Sequence, residues 1–99
     1  MNYEVRYTDT ARDDLLRFME FIERRGGSAA EHAIDTLTRS MDLLAFSPFS
    51  CRKAADNDPF LRELIVPFGS TGYVALFEIQ GDYVTILALR HQREDDYFH

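Results

Sequence analysis

The apolar positions change period along the chain. Tyr3, Val5 and Tyr7 alternate with Glu4 and Arg6, the period-two pattern of a half-buried strand. Thr8-Asp9-Thr10 follows with side chains suited to capping a helix. Ala11, Leu15, Phe18, Met19 and Ile22 then recur at helical spacing, with most of the charges opposite, which predicts a helix over 9–25. Gly26-Gly27 stops it, because glycine accepts the left-handed conformation that ends helices. Ser28-Ala29-Ala30-Glu31 has the form of a capping box and opens a second helix over 28–46. Its buried stripe is Ala30, Ala33, Ile34, Leu37, Met41 and Leu44, and Pro48 closes it. Two helices joined this closely form an antiparallel hairpin.

Residues 49–59 read as a loop, rich in Pro, Ser, Asp and Asn. After Pro59 the period returns to two, and strands are expected over 61–66, 73–79 and 83–89. Pro67 with Gly69-Ser70-Thr71-Gly72 separates the first two, and Gln80-Gly81-Asp82 turns between the last two. The order β-α-α-β-β-β defines an α+β fold, a helical hairpin packed on an antiparallel sheet. No repeat or linker interrupts it, so residues 1–99 are read as one domain, and by size scaling about 65% of the chain's surface is buried.

Composition narrows the function. The single cysteine, Cys51, excludes an internal disulfide and a cysteine-rich zinc site, and His32, His91 and His99 are too scattered to ligate a metal. No metal and no cofactor are expected. No apolar run approaches the roughly 18 residues of a membrane-spanning helix, and no basic-then-apolar leader opens the chain. The expected location is the cytoplasm. The net charge of −6 is shared evenly: residues 1–50 hold six basic and nine acidic side chains, residues 51–99 five and eight. A domain that grips nucleic acid unaided is usually basic.

Chemistry concentrates at the C-terminus, where Arg90, His91, Arg93 and Tyr97 follow the last strand. Arg52, Lys53 and Arg62 form a second basic group that could join Arg90 and Arg93 in one patch suited to phosphate or an acidic peptide. A tail of mutually paired surface charges is the simpler account of the same residues. Asp13 and Asp14 are adjacent on a helix and so diverge by about 100°, which is no acid–base pair. The first helix is apolar around more than half its circumference; Leu16 and Phe21 exceed what one sheet can cover and are expected to form an interface.

Several segments together resemble the RelE/ParE toxin superfamily of bacterial type II toxin–antitoxin systems. Thr10-Ala11-Arg12-Asp13-Asp14-Leu15 is similar to the family's Ala-x-x-Asp-Leu, and Phe18-Met19-Glu20-Phe21-Ile22 to the stretch after it. Leu43-Leu44-Ala45-Phe46-Ser47-Pro48, Leu61-Arg62-Glu63-Leu64, Tyr73-Val74-Ala75-Leu76-Phe77 and Val84 to Glu94 resemble its later segments in order. The resemblance implies a toxin of plasmid-stabilisation type, neutralised by a cognate antitoxin that engages Leu16, Phe21, Arg62, Arg90 and Arg93. It implies one of two targets. RelE-like members cleave mRNA on the ribosome; for that activity the matching residues are Arg62, Arg90 or His91, and Tyr97. Val74 stands where that branch carries an arginine after Gly-Tyr. The missing guanidinium favours the ParE-like branch, which is not hydrolytic and poisons DNA gyrase, with Arg90, His91 and Arg93 as the toxic surface. A degenerate member that only binds its antitoxin is a third reading, and a homodimer or a toxin–antitoxin hetero-oligomer fits each.

Overall fold

A computed structural model describes residues 2–68 and 71–92. Its elements are β1 (Glu4–Tyr7), α1 (Asp9–Arg25), α2 (Gly27–Phe46), a 3-10 turn (Pro48–Ser50), β2 (Arg52–Ala55), β3 (Asp58–Phe68), β4 (Thr71–Gln80) and β5 (Tyr83–His91). The strands form one sheet in the order β1-β5-β4-β3-β2, with both helices against it. Among the described residues no helix is long and apolar enough to cross a membrane.

The two helices and the three long strands lie where the periodicity places them. Three features differ. The first is that β3 continues through Pro67 to Phe68 and β4 begins at Thr71, with Pro67 opposite Gly72, where the sequence places a loop. The sheet is mixed, because β1 runs parallel to β5, with Glu4 opposite Tyr83 and Tyr7 opposite Ile86. Alternation identifies a strand but carries no information on its partner or direction. Within residues 49–59, expected as loop, β2 pairs antiparallel with β3, Arg52 opposite Glu63 and Lys53 opposite Arg62, around a turn at Asp56-Asn57. Strand propensity is set largely by cross-strand neighbours, and here those neighbours prevail over a polar local sequence.

Local chemistry explains the ends of the elements. Thr8 caps α1, its Oγ1 accepting from the Ala11 amide at 3.1 Å. Gly26 and Gly27 take φ of +65° and +60°, so the chain turns between helices without Cβ strain. The cap of α2 is Gly26 itself, with no side-chain bond; the expected Ser28 capping box does not form because the helix has already started. Gly81, with φ +58° ahead of Asp82, gives the β4–β5 turn the sign pattern of a two-residue II′ hairpin.

The main core lies between the sheet and the helices: Ala11, Leu44, Leu64, Val66, Ala75, Phe77, Ile79, Val84, Ile86 and Leu89. A second cluster sits between the helices, with Phe18, Ile22 and Ala33 at its centre and Leu15, Phe21 and Leu37 against it. Ile34, read from its spacing as core, is half exposed, since the stripe of α2 is narrower than its apolar residues.

Candidate functional site

The site is built from the end of β5. β1 stops at Tyr7, so from Leu87 onward β5 has no strand on that side. The start of α1 occupies the space and satisfies the open edge with side chains. Thr8 Oγ1 donates to the Leu87 carbonyl at 2.8 Å. The Leu89 amide donates to Asp14 Oδ2 at 2.9 Å, and Arg17 donates to Asp14 Oδ1 at 2.8 Å. Asp14 is only 5% exposed, a depth at which a carboxylate is costly unless its oxygens are bonded. The sequence does not name the partner of this carboxylate. The partners lie 75 residues apart; the one sequence hint is spacing, since Asp14 is three residues after Ala11 and four before Phe18 and so borders the buried stripe.

Beyond that clip the strand presents two faces. His91 stands opposite Tyr73, on the helix side, with ring centroids 5.2 Å apart in an edge-on contact. Tyr73 in turn meets Phe18 of α1 at 4.2 Å. Arg90 stands opposite Val74 on the other face, where Val74 is 1% exposed. There the Arg90 guanidinium lies 3.9 Å from Glu63, whose carboxylate also takes Arg52 at 3.2 Å. Glu63 sits in the Leu-Arg-Glu segment but is absent from the candidates read from sequence. The available signal is the period of two, which puts it on the opposite face from Arg62.

Arg62 lies away from this group. Its Nε donates to the Pro59 carbonyl at 2.7 Å and its Nη1 to the Cys51 and Phe49 carbonyls at 2.8 and 3.3 Å. The guanidinium also covers the Phe49 ring at 5.4 Å. It pairs across the sheet with Phe77 and so shares the helix side with Leu64. Val66, in the row of Tyr73 and His91, is four residues along β3, about 13 Å away. Arg62, Arg90 and His91 therefore do not converge on one point. The expected joint basic patch divides, with Arg52 and Arg90 on one face and Arg62 and Lys53 on the other. Arg93 and Tyr97 lie outside the described residues. Beside Arg62, burial pushes the Cys51 thiol up, opposed by the arginine's charge and a hydrogen bond with Ser50.

The outer surface of the helices carries the expected interface residues unevenly. Leu16 is 61% exposed on α1, whereas Phe21 is half-buried in the inter-helix cluster. An open groove of about 570 Å³ runs between α2 and β3, with Leu64, Ile65 and Pro67 along β3 and Leu43 and Arg39 along α2.

Known proteins are similar to this chain in sequence and in fold. A family model for the ParE toxin of the type II toxin–antitoxin system parDE matches residues 5–96. Toxin RelE3 of Caulobacter vibrioides is 38% identical over 85 residues, which is 85% of this chain and 88% of that protein. The chromosomal ParDE toxin–antitoxin system from P. aeruginosa contains a chain that superposes with a TM-score of 0.66 at 18% identity, covering 90% of this chain and 95% of its own. That likeness concerns the fold; the family match and the sequence identity reach further. From β1 to the end of β5, the chain belongs to the ParE family of type II toxin–antitoxin toxins, within the wider ParE/RelE group.

Proposed function

We propose that this toxin acts without cleaving RNA, by binding and inhibiting DNA gyrase, and that a cognate antitoxin neutralises it. The observation that carries the reading is Val74. Cleavage by a 2′-hydroxyl needs a base at that hydroxyl and cations at the phosphate, where charge builds in the transition state. At the position after Gly72-Tyr73 the chain has a buried aliphatic side chain, and no guanidinium reaches the sheet face from there. Arg62, the basic residue expected on the second of the three long strands, is committed to three backbone carbonyls on the opposite face. The net charge of −6 also favours a protein target over direct contact with nucleic acid. The end of β5, with His91 and Arg93, is our assignment for the toxic surface, and Arg90 contributes at its rim because Glu63 engages it. Leu16 is our assignment for antitoxin contact, with Phe21 behind it and Arg62, Arg90 and Arg93 as charged points. Both candidate targets place the protein in the cytoplasm.

Ribosome-dependent mRNA cleavage is the second reading. It is favoured by the Glu63 carboxylate standing beside Arg52 and Arg90 on one face, a base next to two cations. The name of the relative Toxin RelE3 points the same way. The purified protein separates the two. The gyrase reading expects inhibition of DNA supercoiling by gyrase and intact mRNA on programmed ribosomes. Cleaved mRNA, lost in Glu63→Gln or His91→Ala, establishes the nuclease instead.

A further inference from the structure

We propose that Asp14 is a positioning residue that fixes the register of the last residues of β5 and thereby decides which face of the sheet Arg90 and His91 occupy. Val84 and Ile86 face the helices, in the main core. Continued at a period of two, the same face takes Ala88 and Arg90, and the opposite face takes Leu89 and His91. The observed assignment is the reverse. Leu89 is 2% exposed in the main core, His91 packs on Tyr73, and Arg90 stands with Val74 and Glu63. The cause is one extra residue. Phe77 pairs with Ile86 but Leu76 pairs with Ala88, which leaves Leu87 as a bulge on β5.

A single-residue shift moves every later side chain to the other face. Reversing this one would place the Arg90 guanidinium in the core and expose Leu89. Something must therefore hold the bulge where it is. The two groups on its open side are the Leu87 carbonyl and the Leu89 amide. Thr8 Oγ1 takes the first and Asp14 Oδ2 the second. Both clips come from the first turns of α1, a rigid element that also packs Ala11, fully buried, into the main core beneath. The depth of Asp14 agrees with this role. Its carboxylate is buried and has the Leu89 amide and Arg17 as partners. The functional half of the proposal rests on the reading of the β5 end as the toxic surface; the register half rests on geometry alone.

The test compares Asp14→Leu, Asp14→Asn, and Asp14→Leu combined with deletion of Leu87. Deleting the bulge residue lets a regular strand place Leu89 and His91 on the helix side without a clip. Three readouts are taken: nuclear Overhauser effects between the His91 and Tyr73 rings, thermal melts, and the fall in colony-forming units on induced expression. Asp14→Leu is expected to abolish the ring-to-ring Overhauser effects and at least tenfold of the growth inhibition. Asp14→Asn keeps an oxygen for the Leu89 amide and is expected to retain both. The combined variant is expected to restore the Overhauser effects. If Asp14→Leu fails to fold, the combined variant and Asp14→Asn still carry the test. Overhauser effects that persist in folded Asp14→Leu overturn the proposal, as does a folded combined variant that lacks them. Separation of the two rings in folded Asp14→Leu, with growth inhibition unchanged, upholds the register role and removes the β5 end from the toxic surface.

Discussion

Val74 stands where the resemblance to RelE-like toxins implies an arginine, at a position with no room for one. It is 1% exposed, opposite Ile65 on one neighbouring strand and Arg90 on the other. Introducing Val74→Arg would bury a second guanidinium beside Arg90, with Glu63 already shared between Arg52 and Arg90. Such a change costs on the order of 3 kcal/mol or more. For a domain of this size that lowers the melting temperature by roughly 12–24 °C. The expected outcome is a destabilised protein without gained nuclease activity. A Val74→Arg variant that melts within a few degrees of the parent would show that this face has room to spare. Arg62 illustrates a related point. Its segment marks it as a special residue, but its three carbonyl acceptors make it a clamp on the 3-10 turn and the β2–β3 hairpin. Residue type announces a cation; only the register says which face it serves.

At the scale of elements, periodicity locates α1, α2, β3, β4 and β5 because each buries one face along its length, and that burial imposes the period. β2 is not legible, since four residues Arg-Lys-Ala-Ala at a sheet edge bury little and owe their conformation to Glu63 and Arg62 across the ladder. The parallel pairing of β1 with β5 is hidden for another reason: alternation marks the strand but not its partner or direction. The candidate site is legible as a place, the end of the last strand, and not as an arrangement. The bulge at Leu87 and its clips depend on Thr8 and Asp14, which are distant in sequence. The outer face of α1 yields a prediction at this scale. Leu16 is exposed where a folding antitoxin segment could cover it, while Phe21 helps close the inter-helix cluster. Leu16→Glu is expected to leave the melting temperature within about 3 °C, because surface changes cost little. It should weaken binding to the antitoxin encoded beside it by about 30-fold, the equivalent of about 2 kcal/mol at an interface anchor. Unchanged affinity in titration calorimetry would move the antitoxin elsewhere, the α2–β3 groove being the next place to look.

At the scale of the whole molecule, the net charge is −6, and several of the ten arginines are engaged by the protein itself: Arg62 in its clamp, Arg52 and Arg90 around Glu63, and Arg17 on Asp14. A protein surface is a better match for that distribution than a phosphate backbone, whose binding scales with the number of cations free to release its counterions. The central claim is that this ParE-family toxin stops growth through gyrase and not through mRNA. The most direct measurement is induced expression of the chain alone, with the DNA-damage response and the rate of protein synthesis followed together in the first minutes. The account predicts filamentation and an induced damage response while synthesis continues. Immediate arrest of synthesis with cleaved mRNA, and no damage response, would contradict it.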